Sequence, residues 1–264
     1  MKKLLRLEFI KYSRSTIFYI FIGLFMALVV LSEIGSLYLA NKFGVKLGFS
    51  TLWPSLINTA GQMNIFIGII IMVSITSEYQ YRTIRQHVID GLDKSDLFIA
   101  KYIYGICLSL FAVVFVAISV IIAGYITGAS TTGSGPWDGS QLLGSYFVQV
   151  LGYVSMAIFF AFLLRTTAVG IIVYLFYMPL ESLLGSLISY ISHNDTTIPQ
   201  YFPKAIFSNI IQNPGVIKLA NAAKAAAPAK TINILSEQNT LIIGFVYIIL
   251  FAAGSYWLLK KRDL

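Results

Sequence analysis

The chain has 264 residues, of which 57% are hydrophobic and 11% are charged, and its formal net charge is +8. Soluble domains average about 45–50% apolar residues, and the apolar residues of this chain gather into runs of about twenty, the length that crosses a bilayer as a helix. This composition excludes a soluble globular protein. It also assigns the positive charge to membrane topology rather than to nucleic-acid binding.

Six apolar runs predict an all-α polytopic membrane protein that forms a single transmembrane domain over residues 1–264. Their hydrophobicity is continuous, whereas β-barrel strands alternate. Most basic residues fall in the N-terminal segment, the second connection and the C-terminal tail, so both termini are predicted to be cytoplasmic. The predicted spans are 17–40, 56–77, 102–127, 142–164, 168–191 and 240–259.

The N-terminal segment, residues 2–14, reads KKLLRLEFIKYSR and places apolar residues at helical spacing between basic ones. This pattern predicts an amphipathic helix in the membrane interface, in which Lys3, Arg6 and Lys11 meet anionic headgroups and Phe9 faces the acyl chains. The alternative is a charge cluster that only sets topology. The apolar run that follows is long enough to span, which favours a retained first helix over a cleaved signal peptide.

Polar side chains also occur within the predicted spans, at Glu33, Gln62, Asn64 and Glu181. An ionisable group at membrane depth is costly and is therefore a functional candidate. Three interpretations of Glu181 stay open: it supports a helix break at Pro179, it pairs with a polar group such as Gln62 or Asn64, or it lines a substrate path. For the two amides, the alternative to a substrate path is hydrogen bonding between helices.

The densest polar stretch, residues 77–101, reads SEYQYRTIRQHVIDGLDKSDLFIAK and connects the second and third spans. Tyr81, Ile84 and Val88 recur at helical spacing and predict one apolar stripe on a helix over 80–90. Gly91 is a suitable helix stop, and Ser95 is a suitable N-cap for the next helix.

We expect this connection, residues 78–95, to dock with a partner protein. Its stripe would sit in a groove of the partner, with Arg82 and Arg85 meeting acidic groups at the rim. A helix joined directly to two spans would convert movement of the partner into movement of those spans. The alternative is a stripe that only lies on the membrane surface.

The connection 192–239 is unusually long for a loop without structure of its own. Phe202, Ile206, Phe207 and Ile210 mark one face of a short amphipathic helix that ends near 213–215. We expect interfacial or re-entrant helices in the outer leaflet, and a small folded extracytoplasmic cap is the alternative.

The sequence contains no G-x-x-x-x-G-K-[ST] phosphate loop, no H-E-x-x-H and no Cys/His pattern of metal-ligand spacing. We therefore expect no catalytic residues, no metal site and no ATPase activity in this chain.

The arrangement resembles the permease subunits of the ABC-2 type exporter family. Residues 77–103, SEYQYRTIRQHVIDGLDKSDLFIAKYI, resemble the coupling helix of that family, which begins at a glutamate, here Glu78. Residues 162–171, FLLRTTAVGI, resemble its turn between spans four and five. The basic start resembles its connecting helix, and the long last connection resembles its re-entrant hairpin. Arg82-Thr83 stands where the family usually has glycine-threonine.

The resemblance implies a subunit without ATPase motifs, with two separate ABC ATPase subunits docked on residues 78–95 and a second permease subunit, identical or paralogous. ATP and Mg²⁺ would bind to the partner ATPases, and this chain would hold no cofactor. The implied location is a bacterial cytoplasmic membrane. The few charges in the spans favour an amphipathic or hydrophobic substrate, such as a peptide, a lipid or a drug.

Two functions of other classes remain compatible with the sequence. The first is a membrane sensor or scaffold that binds a cytoplasmic signalling protein and transports nothing. The second is a proton-coupled secondary carrier that uses Glu181 and Glu33.

Overall fold

The computed structural model of the chain describes residues 10–11, 15–42, 48–89, 91, 93–128, 135–192, 198–212 and 235–261. These ranges are helical with no strands, and six of their helical segments are long and apolar enough to cross a membrane. The predicted all-α, six-span fold is thereby confirmed. The spans, numbered 1 to 6, are Thr16–Lys42, Phe49–Gln80, Lys94–Ile126, Leu142–Leu164, Thr167–Ile191 and Glu237–Lys261.

Span 2 consists of two helices, Phe49–Gln62 and Asn64–Gln80, that meet at Met63. The Met63 amide donates to the Ala60 carbonyl at 2.9 Å, and the Phe66 amide donates to the Met63 carbonyl at 3.1 Å. These bonds reach back three residues, which tightens the helix locally and marks a break in it.

Spans 2 and 3 begin earlier than their hydropathy predicts. Span 2 starts at Phe49 and continues through Pro54. Trp53, next to this proline, is buried, and its indole nitrogen donates to the Pro136 carbonyl at 3.0 Å. Span 3 starts at Lys94, and its N-cap position is Asp93 rather than the predicted Ser95. Polar residues lower the hydropathy of both starts, although each start continues a helix.

Spans 2 and 4 form the centre of the bundle, and the other four spans surround them. Small residues allow close approach: a Cβ at Gly105 of span 3 would lie 2.7 Å from Val154 Cγ1 of span 4. Close backbone approach of this kind is the usual basis of helix packing in a membrane, where lipid and side chain are equally apolar.

Between spans 5 and 6, the described segment 198–212 contains a 3₁₀ turn, Pro199–Tyr201, and a short helix, Pro203–Asn209. The predicted apolar face packs into the bundle, with Ile206, Phe207 and Ile210 buried. Residues 213–234 lie outside the described part of the chain.

The short helix enters the bundle to about half its depth. It contacts span 4 at Gly152 and span 5 at Glu181, and each of these residues is ten positions from the end of its span, Leu142 and Ile191 respectively. Ten residues of helix rise about 15 Å, which is about half of the 30 Å hydrocarbon core. The segment therefore packs into the bundle rather than across its end, and we call residues 198–212 the re-entrant segment.

Candidate functional site

The junction of spans 2 and 3 is fastened by a buried ion pair. Lys101 Nζ lies 2.5 Å from Glu78 Oε1, and both side chains are almost fully buried, with exposures of 3% and 2%. Lys11 Nζ lies 2.6 Å from the same oxygen. A carboxylate in the last turn of a helix is unfavourable next to the helix dipole, and the two ammonium groups offset this cost. Span 2 therefore ends at a point held by span 3 and by the N-terminal segment.

A short helix, Thr83–Ile89, follows this junction. We call residues 81–93, which connect spans 2 and 3, the linker, and the end of the bundle that carries them the linker end. The helix starts later than predicted, because Arg82 adopts a left-handed conformation with φ of 56° and separates Tyr81 from it. Glycine adopts such a conformation at no steric cost. The resemblance to the ABC-2 family predicts glycine at the position that Arg82 occupies here.

The exposure of the linker differs from the predicted stripe. Tyr81 and Ile89 are 78% and 74% exposed, whereas Ile84 is only 4% exposed and packs inward. Ile84 and Glu78 therefore shape the linker from inside the protein, and Tyr81, Arg82 and Ile89 lie at its surface. The side chains of the other two predicted contacts, Arg85 and Val88, lie outside the described part of the chain.

The turn between spans 4 and 5 is attached to the same end of span 2. Thr167 Oγ1 lies 2.9 Å from Thr76 Oγ1 and 3.1 Å from Gln80 Oε1. The Arg165 guanidinium lies 5.0 Å from the centroid of the Tyr79 ring, within the range of a cation–π contact. Span 5 is thus coupled to the part of span 2 that enters the linker.

Two of the predicted polar residues inside the spans make hydrogen bonds between helices. Glu33 of span 1 accepts a bond from the Ser119 hydroxyl of span 3 at 2.8 Å, and Asn64 of span 2 accepts one from the Tyr146 hydroxyl of span 4 at 2.8 Å. Gln62 is exposed. The structure brings none of these residues together with Glu181.

Glu181 receives the re-entrant segment. Its Oε2 accepts the backbone N–H of Lys204 at 3.0 Å, and its Oε1 accepts that of Ala205 at 2.8 Å. These amides lie in the first turn of the short helix, behind Pro203, where no intrahelical acceptor exists. Span 5 continues through Pro179, so the helix break that was one of the three interpretations of Glu181 is not observed.

The predicted interfacial helix lies mostly outside the described residues, including Lys3, Arg6 and Phe9. Lys11 is described, and its ammonium contacts Glu78. The described part of the N-terminal segment therefore contacts the protein at the linker end.

These features define a multi-pass helical membrane protein with a fastened linker between spans 2 and 3 and a re-entrant segment between spans 5 and 6. A family model described as "ABC-2 family transporter protein" matches residues 4–181, and the chain belongs to this family. The predicted family is thereby confirmed, and with it a transport permease of the membrane. No curated protein matches the chain.

Proposed function

We propose that the chain is the permease subunit of an ATP-driven exporter. It would move an amphipathic or hydrophobic substrate, such as a peptide, a lipid or a drug, using ATP hydrolysed by a separate subunit. The observation that carries this proposal is the fastened junction, in which the buried pair of Glu78 and Lys101 joins the two spans that enter the linker.

The junction is suited to transmit force. The pair lies beside the linker, so a push on Thr83–Ile89 reaches the ends of spans 2 and 3 together. The contacts of Thr167 with Thr76 and Gln80 extend the movement to span 5. Transport then becomes a shift between two arrangements of the spans, for which ATP binding supplies the differential energy.

The docking surface consists of the exposed linker residues. Tyr81 and Ile89 offer exposed apolar side chains, and Arg82 adds a positive charge. Such a surface fits an apolar groove with an acidic rim, the helix-in-groove mode of recognition. We propose that two ABC ATPase subunits, each holding ATP and Mg²⁺, dock on the linkers of two permease subunits. The linker end would then be cytoplasmic.

The proton-coupled carrier is less well supported. Both oxygens of Glu181 are engaged by backbone amides, which gives this carboxylate a structural role. Glu181→Gln keeps one acceptor oxygen, so an ATP-driven exporter should retain most of its transport. A proton-coupled carrier should lose transport entirely.

Co-purification tests the proposal. The tagged chain, extracted from its source membranes in mild detergent, should bring down an Mg²⁺-dependent ATPase. Tyr81→Asp combined with Ile89→Asp should reduce the recovered ATPase at least tenfold without loss of the permease. The matched control, Ile198→Asp, changes an exposed isoleucine of the segment between spans 5 and 6 and should recover the ATPase fully.

Recovery of no ATPase with the wild-type chain would contradict an exporter and favour the scaffold hypothesis. Equal recovery with the linker double variant and with the control would refute the docking surface.

A further inference from the structure

Lys204 belongs by sequence to a connection predicted to be extracytoplasmic, but in the structure it lies within the bundle, beside Glu181 and Ser182 of span 5. Its backbone amide is bound by Glu181, and its Nζ donates to Ser182 Oγ at 2.8 Å. Ser182 is nine residues from Ile191, the end of span 5. Nine residues of helix rise about 14 Å, so with Ile191 at the boundary of a hydrocarbon core of about 30 Å the ammonium would lie well inside that core.

The charge of Lys204 has no close counter-ion within the described part of the chain. Ser182 is the only hydrogen-bond partner of its ammonium there, and no carboxylate lies within the 4.0 Å of a salt bridge. Glu181 is near in space, but its two oxygens accept backbone amides. An ammonium has three donors, and the described residues engage one of them, so that two are open to a ligand on this part of the chain.

The ammonium opens onto the surface of the bundle. Lys204 is half-buried, and Ser182 and Ser186 on the adjoining face of span 5 are exposed. A cation facing lipid tails at this depth is costly, and such residues normally face water, a substrate path or an anionic group. The backbone amides of Lys204 and Ala205 are held by Glu181, so the backbone cannot leave this level without breaking two hydrogen bonds, and the ammonium can move only within the reach of its own side chain.

We propose that Lys204, with Ser182, forms a binding site for the anionic headgroup of an amphiphile, a carboxylate or a phosphate, on the substrate path beside span 5. This inference rests on the proposed transport function and narrows its substrate class to amphiphiles with an anionic group. Lys204 Nζ supplies the charge, and the hydroxyl of Ser182 orients it. The apolar part of the ligand would lie along the exposed aliphatic face of span 5, which includes Leu183 and Leu187.

The test uses two probes that differ only in the headgroup, a pyrene-labelled alkyl phosphate and the corresponding alcohol. Binding to the permease–ATPase complex in phosphatidylcholine nanodiscs is measured by energy transfer from tryptophan to pyrene. Wild type should prefer the phosphate about ten- to a hundredfold, the range expected for one hydrogen bond to a charged group. Lys204→Gln should abolish this preference and leave alcohol binding unchanged.

Two variants serve as controls. Lys204→Arg keeps the charge and should keep the preference. Lys42→Gln removes an exposed lysine at the end of span 1 and should also keep it. Phosphatidylglycerol in the nanodisc distinguishes the source of the ligand. If phosphatidylglycerol removes the preference for the phosphate probe in wild type but changes nothing in Lys204→Gln, the site binds an anionic headgroup, and a bilayer lipid is the source of that headgroup.

Equal binding of the two probes to wild type, or an unchanged preference in Lys204→Gln, would overturn the inference. Dissociation of the permease pair in Lys204→Gln would also overturn it, because the counter-ion would then come from a second copy of the chain. The ATPase that co-purifies with these variants reports on the proposed exporter separately. Normal ATPase recovery without a headgroup preference therefore refutes only the Lys204 site.

Discussion

Replacing Lys101 with methionine removes the buried partner of Glu78 and keeps the length and apolar stem of the side chain. The pair is almost fully excluded from solvent, and its atoms are 2.5 Å apart. Removing one member of a buried pair typically costs about 3–5 kcal/mol, because the other charge remains buried. Lys11 still contacts the carboxylate, so we expect a loss near the lower limit, about 3 kcal/mol.

The second lysine provides the matched control. The Lys11 side chain is 42% exposed, although its ammonium is only 2.6 Å from the same oxygen. Solvent screens a pair of this kind, and exposed pairs contribute about 0–1 kcal/mol. Lys11→Met should therefore cost at most about 1 kcal/mol. The double variant Glu78→Leu, Lys101→Met removes both buried charges and should recover much of the loss of Lys101→Met.

The free energy of unfolding can be measured in mixed micelles by titration with sodium dodecyl sulfate, with the helical circular dichroism signal as the readout. Lys101→Met should also uncouple the two spans, so the ATPase should still dock while its stimulation falls. If Lys101→Met costs no more than Lys11→Met, the junction is not held by the buried pair. If the two changes in the double variant cost the sum of their single effects, the residues do not interact.

Three further variants test other parts of the fold. Arg82→Gly should stabilise the protein by about 1 kcal/mol because it relieves a left-handed conformation, whereas Arg82→Ala should bring no such gain in the same unfolding assay. Gly152→Ala should destabilise by about 1–3 kcal/mol because its Cβ would collide with the Phe207 ring, and Phe207→Leu in that background should restore part of the loss. Cysteines at Ile89 and Ile198 should react with a membrane-impermeant maleimide from opposite sides of the membrane; labelling from one side would contradict the topology.

The number and type of the spans could be predicted from the sequence because burial in lipid requires long continuous apolar runs. Span 4 matches its prediction at both ends, Leu142 and Leu164, since polar residues flank it on each side. The starts of spans 2 and 3 lie earlier than the apolar runs predict. At span 2, Ser50, Thr51 and Pro54 interrupt the apolar run although the helix continues through them. At span 3, hydropathy cannot recognise a polar residue that is paired inside the protein. Lys101 is an example: its charge suggests a boundary, yet it is buried within a helix.

The candidate site was predicted less completely than the fold. The polar block between spans 2 and 3 was recognisable, but the division of its residues into inward and outward ones depends on the turn at Arg82, which a regular helical pattern ignores. The sequence places Lys204 in the long connection between spans 5 and 6 and gives no sign that it packs inside the bundle. Its depth depends on Glu181 binding the adjacent amides across 23 residues of sequence, a contact without a local signal.

The break at Met63 divides span 2 between two sets of contacts. The helix on the linker side of the break, Asn64–Gln80, makes the contacts with the linker, span 3 and span 5. The helix on the other side of the break, Phe49–Gln62, is held by the re-entrant segment, because the Asn58 amide donates to the Ile211 carbonyl at 2.7 Å. A displacement of the linker would therefore act first on the helix Asn64–Gln80. The break, whose hydrogen bonds reach back three residues rather than four, is the point where we expect that displacement either to be absorbed or to be passed to the segment that carries Lys204.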